Sequence, residues 1–305
     1  MILDNKNMKI VEQDNQILGL TSIDGKIIVG ASYFDPGFYI NKKESAGIGG
    51  LRKIEFIGTD LSLLKGNWGG KHVFLWDNPG RSHSNYRAQV GQIGQDHKRF
   101  IYLSNSGDSI NVLDLEKRIS SDSNFDKLPF KGTPPRLYAG FDERIEYFLE
   151  LEQGIFVTIE NCGDCKLGVY KENGESLNKQ NEVNLSVMDG LMQNIDMDIT
   201  EHIDGVVEGK ANMLYGLAFF KDQLLLLPDK RSTLTKGVYA IDIPNGVDSL
   251  SEGSKAKIVQ GSENIISGNG IAPTKDGLYI SKYTFTRETM VGKETPKLMF
   301  IPFTQ

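Results

Sequence analysis

The sequence of 305 residues contains only two cysteines, Cys162 and Cys165. Two cysteines cannot form the disulfide framework that stabilises many small secreted domains. Their Cys-x-x-Cys spacing also occurs in zinc knuckles and redox motifs, but no second cysteine pair is present to complete a zinc site. Asn161, Gly163 and Asp164 are typical of a tight turn between two strands. We interpret the motif as a hairpin turn that carries two thiols.

Long apolar runs are also absent. No uninterrupted apolar stretch is longer than that of residues 224–227, which Pro228 ends, whereas a membrane-spanning helix needs roughly 18 to 20 residues. Residues 1–9 have neither the basic start nor the apolar segment of a secretory signal. We therefore expect a cytoplasmic protein that is not associated with a membrane.

The sequence has no excess of basic residues. Lysine and arginine number 34 against 40 acidic residues, a formal charge of −6, which argues against a nucleic-acid partner. There is no Gly-x-Ser-x-Gly elbow, no phosphate-binding Gly-Lys-Ser/Thr loop and no His-Glu-x-x-His motif. The glycines of residues 47–50 lack the spacing of a dinucleotide fingerprint. These absences argue against the commoner enzyme classes.

Helical periodicity is weak throughout. Residues 61–65 could form about one turn, and the amphipathic pattern of residues 183–192 is broken by Gly190. The sequence therefore predicts an all-β protein.

What the sequence does contain is a repeat. A strand-like run that follows a turn residue recurs five times, at a spacing close to one fifth of the chain, and each run precedes a second one. We predict five antiparallel hairpins, whose paired runs are residues 24–29 with 51–57, 97–103 with 109–115, 153–158 with 166–171, 222–227 with 237–243, and 276–281 with 297–303.

Further strands are predicted on both sides of these hairpins. A glycine followed by an apolar residue precedes the first run of three hairpins by a few positions, at Gly19, Gly216 and Gly270. Because small residues fit where backbones converge, we predict that these glycines lie in inner strands. Additional apolar runs supply outer strands, namely residues 72–76, 145–151 and 256–259. The last unit stops after its third strand, so we expect residues 8–11 to complete it.

Four strands per unit, repeated radially, is the plan of a β-propeller. We predict one domain over residues 1–305, with five blades and a closing N-terminal strand. Six blades remain an alternative, because residues 58–96 and 173–215 are long enough to hold an irregular one.

The residues around Gly216 and Gly270, with the strands that follow them, resemble the blade signature of the NHL and gluconolactonase-like propellers. The resemblance implies a propeller fold and, in the gluconolactonase-like enzymes, an axial divalent metal held by residues just before such glycines. Asn269 occupies one of these positions, whereas Leu18 and Tyr215 occupy the others. The match therefore favours the fold over the lactonase reaction.

One segment concentrates aromatic, basic and imidazole side chains in a loop rich in glycine, serine and asparagine. Such groups supply the flat apolar surface and directed polar groups of a ligand pocket. The alternative is that the tryptophans anchor a blade and the rest is solvated. The candidate ligand-binding residues are Trp68, His72, Trp76, Asp77, Arg81, His83, Tyr86 and Arg87.

A second segment could hold a cation. If residues 194–200 form a strand, Asp196 and Asp198 share one face, and an oxygen-rich face suits Ca²⁺. An outer strand with its acidic face in water explains the same pattern. With Asn269, these two residues are the candidate metal ligands.

The sequence therefore predicts a binding propeller that recognises a small molecule, a glycan or a protein at one end of the ring. The alternative is a metal-dependent hydrolase or lactonase with an axial site, because propeller hydrolases take their acids from different blades and need no local motif.

Overall fold

The protein is described by a computed structural model that covers residues 1–12, 16–23, 26–32, 52–57, 72–75, 92–96, 99–103, 109–114, 119–120, 136–141, 143–160, 166–185, 188–191, 214–228, 237–265, 270–282 and 297–304. These residues form one short 3-10 helix and a succession of strands. In chain order they are η1 (Asn5–Asn7), β1 (Lys9–Glu12), β2 (Gln16–Ile23), β3 (Lys26–Ser32), β4 (Arg52–Ile57), β5 (His72–Leu75), β6 (Gln92–Ile93), β7 (Arg99–Leu103), β8 (Ser109–Asp114), β9 (Ile119–Ser120), β10 (Arg136–Ala139), β11 (Ile145–Glu152), β12 (Ile155–Glu160), β13 (Lys166–Asn173), β14 (Ser176–Asn184), β15 (Leu214–Phe220), β16 (Gln223–Pro228), β17 (Tyr239–Asp242), β18 (Pro244–Val247), β19 (Ala256–Ile258), β20 (Gly270–Pro273), β21 (Gly277–Lys282) and β22 (Lys297–Pro302).

Within the described residues all strands except β18 belong to five sheets, which we number in chain order of their first strands. Sheet I has five strands and the others have four. The orders are β2-β3-β4-β5-β9 in sheet I, β6-β7-β8-β10 in sheet II, β11-β12-β13-β14 in sheet III, β15-β16-β17-β19 in sheet IV and β20-β21-β22-β1 in sheet V.

The five predicted hairpins are confirmed. Each pairs the second and third strands of a sheet in antiparallel register, namely β3 with β4, β7 with β8, β12 with β13, β16 with β17 and β21 with β22. The strand that contains each of the three predicted inner glycines is the first of its sheet. The N-terminal run, observed as β1, pairs antiparallel with β22 at the outer edge of sheet V, as expected.

One predicted strand has a different role from the one assigned to it. Residues 145–151 were expected as an outer strand, but β11 is the first strand of sheet III and pairs with β12. The reason is the short turn at Gln153 and Gly154, which leads β11 directly into its neighbour. The fourth strand of this sheet is β14, and Val183, at the start of the candidate helical segment, lies in it.

The cores lie between neighbouring sheets. Buried aliphatic and aromatic side chains of sheets III and IV pack together, as do those of sheets IV and V, and a third group joins sheets II and III. Four of the five neighbouring pairs of sheets meet through their first strands, since β2 lies near β6 and β20, and β15 lies near β11 and β20. Sheets II and III meet instead through β7 with β11 and through β10 with β14.

Gly216 shows why small residues stand in these first strands. A Cβ atom at this position would lie 3.2 Å from Leu227 Cβ and 3.3 Å from Ile271 Cγ2, which belongs to the next sheet. Successive antiparallel sheets that approach through their first strands have the arrangement of a β-propeller, as the repeat predicts. None of the helices in the described residues has the length and apolar character needed to cross a membrane.

Candidate binding groove

The groove begins at the turn between the first and second strands of sheet IV. Phe220 pairs with Gln223, so Lys221 and Asp222 form a two-residue hairpin loop. Their φ angles are 49° and 58°, which place both in the left-handed region that type I′ turns require. Asn-Gly or Asp-Gly is the usual choice there because glycine adopts this conformation without steric cost. Here both positions carry exposed charged side chains instead.

The corresponding turn of sheet V carries the same pair of residues, Lys275 and Asp276. Thr274 organises this turn, since its Oγ1 accepts hydrogen bonds from the amides of Asp276, at 3.3 Å, and Gly277, at 3.2 Å. Both turns connect a first strand to a second strand, so they lie at the same end of the two neighbouring sheets.

Between these turns lies a groove of about 680 Å³. The N-terminal residues, the turn of sheet IV and the end of sheet V line it. The lining residues are Met1, Ile2, Phe220, Lys221, Gln223, Lys275, Asp276, Phe300, Pro302, Phe303 and Thr304.

Aromatic rings form the apolar part of the groove. The rings of Phe220 and Phe303 are stacked, with centroids 5.2 Å apart and planes inclined by 23°. The Lys221 ammonium lies 5.1 Å from the centroid of Phe220, within the range of a cation–π contact. The ring of Phe300 packs against that of the buried Tyr279, with centroids 4.6 Å apart. The aromatic surface is therefore anchored in the core of sheet V.

The polar groups of the groove differ in how they are occupied. The Gln223 amide donates to Asp242 Oδ1 at 2.8 Å, and this hydrogen bond, together with Lys257, lowers the pKa of Asp242. Among the described residues, neither Lys221 nor Lys275 pairs with a carboxylate. Two ammonium groups beside an apolar surface can therefore attract an anionic group from outside.

A second polar cluster joins sheets II and III, and its cation, unlike the lysines of the groove, is paired with carboxylates. Arg99 contacts three carboxylates, with Nη2 2.7 Å from Glu150 Oε1, Nε 2.6 Å from Asp96 Oδ2 and Nη1 3.2 Å from Glu172 Oε2. Tyr138 donates its hydroxyl to Glu172. Burial alone would lower the pKa of Arg99, but the charges of the three carboxylates raise it.

Glu150 is fully buried in this cluster. Burial raises its pKa, while the amides of Gly154 and Gln95 and the charge of Arg99 oppose that rise. These amides donate to Oε1 at 2.9 Å and to Oε2 at 2.8 Å. Because the Glu150 carboxylate and the Arg99 guanidinium pair with each other and with neighbouring groups of the protein, this cluster is a structural link between sheets II and III.

A third cluster crosses sheet III near the other end of β12. Glu160 is fully buried, accepts a hydrogen bond from Thr158 at 2.6 Å and lies 2.9 Å from Lys179 Nζ. Lys179 also contacts Glu182, and Lys166 bridges Glu182 and Glu143. These side chains pair with one another, so this cluster too is structural.

Of the predicted site residues, the structure describes only His72, as the first residue of β5. It is paired through the backbone with Glu55 on one side and Ser120 on the other. The remaining predicted ligand-binding residues, the three predicted metal ligands and both cysteines lie outside the described residues and stay predictions. Within the described part of the chain, no group of three or more His, Cys, Asp or Glu side chains is placed to hold a metal ion.

The groove was not predicted, although the sequence contains a signal for it. A Lys-Asp pair precedes the second strand of sheet IV at residues 221–222 and that of sheet V at residues 275–276. An identical charged pair at equivalent turns of two repeats indicates that the two lysines lie at the same end of adjacent sheets. That Phe303 and the N-terminal residues line one groove with the turn of sheet IV could not be predicted without the packing of the sheets.

No protein-family model and no curated protein matches the chain. Among solved structures, the chain is similar to the WD40 β-propeller domain of Doa1, with 10% identity and a TM-score of 0.41 over 93% of this chain and 63% of that one. It is also similar to YCF48 bound to D1 peptide, with 10% identity and a TM-score of 0.41 over 96% and 78% of the two chains.

The catalytic domain of the Coprinopsis cinerea GH62 α-L-arabinofuranosidase is similar at 12% identity and a TM-score of 0.47, with 97% of each chain covered. Backbone likeness at this level carries no argument about function or fold. The arrangement of the sheets is defined by the strand pairing and by the contacts between sheets. The resemblance to NHL and gluconolactonase-like blades stays a prediction.

Proposed function

We propose that this protein is a five-bladed, single-domain β-propeller that binds a segment of a partner protein in the groove between sheets IV and V. The five sheets correspond to the five blades. The order of contacts between inner strands supports a ring, because sheet I lies next to both sheet II and sheet V. The pairing of β1 with β22 joins the N-terminal run to the last blade and supports closure.

The observation that carries the proposed function is the groove itself. It combines a stacked phenylalanine pair with two lysines that have no carboxylate partner among the described residues. This combination suits recognition, in which apolar contacts supply affinity and a few charges supply orientation.

Exposed apolar side chains around the groove favour a protein partner over a small molecule or a glycan. Met1 and Ile2 line the groove and are exposed. Apolar surface beside a pocket is covered more fully by a protein segment than by a small ligand, and exposed apolar patches mark interaction sites.

A peptide selection tests this proposal. Random peptides displayed on phage are selected on the wild-type protein, and the enriched peptides are measured by fluorescence anisotropy. Thr304→Trp places a large ring in the groove from an exposed position, while Asn178→Trp places the same ring at an exposed position of β14. We expect Thr304→Trp to abolish binding and Asn178→Trp to leave it unchanged. Failure to enrich any peptide, or equal binding to both variants, contradicts the proposal.

The aromatic and basic segment that contains Trp76 and Arg81 stays a second predicted binding element. Its test is independent of the groove. If it contacts a ligand, Trp76→Ala should weaken binding without a loss of folding, whereas a large fall in the melting temperature would make it structural.

A further inference from the structure

The lysines of the groove occupy equivalent positions in successive repeats. Each is followed by an aspartate, and each Lys-Asp pair lies between the first and second strands of its sheet. Because sheets IV and V are neighbours and the turns lie at the same end, the repeat brings Lys221 and Lys275 to one groove. Two cations are thus presented to the same ligand.

These lysines differ from the lysines that stabilise sheet III. Lys166 and Lys179 each contact two carboxylates. In the part of the chain that the structure describes, Lys221 and Lys275 contact none. The charged residues that line the groove are these two lysines and Asp276, so the groove is net positive in a chain whose formal charge is −6.

The backbone at Lys221 supports a role for its side chain. Lys221 and Asp222 both adopt the left-handed conformation that other residues avoid and that glycine accepts readily. A residue kept in an unfavourable backbone conformation is a pointer to function. In this turn the ammonium group lies over the ring of Phe220, 5.1 Å from its centroid.

We propose that the groove selects an acidic segment of the partner, an inference that rests on the proposed function. One aromatic or aliphatic side chain of that segment packs against Phe220 and Phe303. Aspartate or glutamate residues on either side of it face Lys221 and Lys275. Charge complementarity then sets the choice of partner, and the phenylalanine pair supplies the apolar contact.

The test uses three short peptides with a neutral fluorophore and an amidated C-terminus: Glu-Glu-Phe-Glu-Glu, Gln-Gln-Phe-Gln-Gln and Lys-Lys-Phe-Lys-Lys. Binding is measured by anisotropy at low and at raised ionic strength. We expect the acidic peptide to bind most tightly and to weaken as salt is added, because exposed charges are screened. Replacing the phenylalanine of the acidic peptide by alanine should also weaken binding, because the apolar contact with Phe220 and Phe303 is lost.

Variants of the protein locate the effect. Lys221→Gln and Lys275→Gln should each weaken binding of the acidic peptide about two- to fivefold, the range of exposed charge pairs. Lys171→Gln, at an exposed position of β13, is the matched control and should have no effect. The double variant Lys221→Glu with Lys275→Glu should reverse the preference, so that the lysine peptide binds best.

The proposal is overturned if the acidic peptide does not bind, if the glutamine peptide binds as tightly, or if the charge reversal leaves the preference unchanged. The peptide selection described above separates this failure from failure of the proposed function. Enriched peptides that bind in the groove but lack acidic residues would retain the function and reject the acidic preference. Melting curves of each variant confirm that it is folded.

Discussion

Arg99 of β7 and the fully buried Glu150 of β11 form an ion pair, 2.7 Å from Nη2 to Oε1, that joins sheet II to sheet III. The two residues belong to different repeats. Asp96 and Glu172 accept hydrogen bonds from Nε and Nη1 of the same guanidinium, so one side chain neutralises part of a three-carboxylate cluster. The link between these sheets therefore depends on charge as well as on apolar packing.

Removing the guanidinium should be costly. Arg99→Ala leaves Glu150 buried without its cation, and breaking such a pair from one side lowers the free energy of unfolding by about 3–5 kcal/mol. Urea denaturation measures the change. Lys257→Ala breaks an exposed ion pair with Asp242 and is the control, with an expected loss of about 1 kcal/mol or less. Equal effects of the two variants would show that the Arg99 cluster contributes no more than an exposed ion pair.

Burial raises the pKa of Glu150, which makes its contribution to stability depend on pH. A carboxyl whose pKa is higher in the folded state binds its proton more tightly there. Its stabilising contribution is therefore complete below the ordinary value of 4.5 and is lost as the pH rises through the higher folded value.

Glu150→Gln removes this titration, so the difference between the wild type and the variant isolates its contribution to stability. We expect the free energy of unfolding of the wild type to rise relative to that of the variant as the pH falls from 7 towards 4.5. Urea denaturation of both proteins across this interval measures the difference. A difference that is constant with pH, or that changes in the opposite direction, contradicts the inference.

Gly168 lies beneath the buried Glu160 in sheet III. A Cβ atom at this position would overlap Glu160 Oε1 and lie 2.6 Å from Thr158 Oγ1. Gly168→Ala should therefore lower the free energy of unfolding by about 1–3 kcal/mol, as overpacking does. Gly253→Ala is the control, because the nearest atom to its added Cβ is Ser251 Oγ, at 3.7 Å. A loss no larger than that of the control would mean that Glu160 moves aside without cost.

The hairpin turn of sheet IV predicts a substitution that stabilises the protein. Asp222 has a φ of 58°, and a non-glycine residue in the left-handed region costs about 1–2 kcal/mol, so Asp222→Gly should recover part of that cost. Asp276→Gly changes the equivalent residue of sheet V, which does not have a positive φ, and should give no gain. Thermal denaturation of both variants compares the two turns. A higher melting temperature for Asp276→Gly than for Asp222→Gly would refute the argument.

The repeat predicted the hairpins because their information is local. A turn residue, an apolar run and a second run stand close together in the chain, as in β12 and β13, and alternation of apolar residues indicates the paired strands. The role of β11 was predicted wrongly because an apolar run can be an inner or an outer strand. Only its pairing with β12 decides between them.

The groove and the Arg99 cluster depend on contacts that no local pattern contains. Phe220 and Phe303 stack although they are far apart in the chain. Arg99 reaches Glu150 across a sheet boundary, and the fully buried Glu150 belongs to a residue type that is normally exposed. Burial and partner choice follow from how the sheets pack, which the spacing of apolar residues does not specify.

The sequence by itself determined that the chain folds into repeated antiparallel hairpins, since strand formation and tight turns follow from neighbouring residues. It also supplied the repeated Lys-Asp turns. The tertiary structure alone decided that β11 begins sheet III, which carboxylates are buried and where two lysines meet two phenylalanines. Those properties arise because packing brings residues of different repeats within a few ångströms of one another.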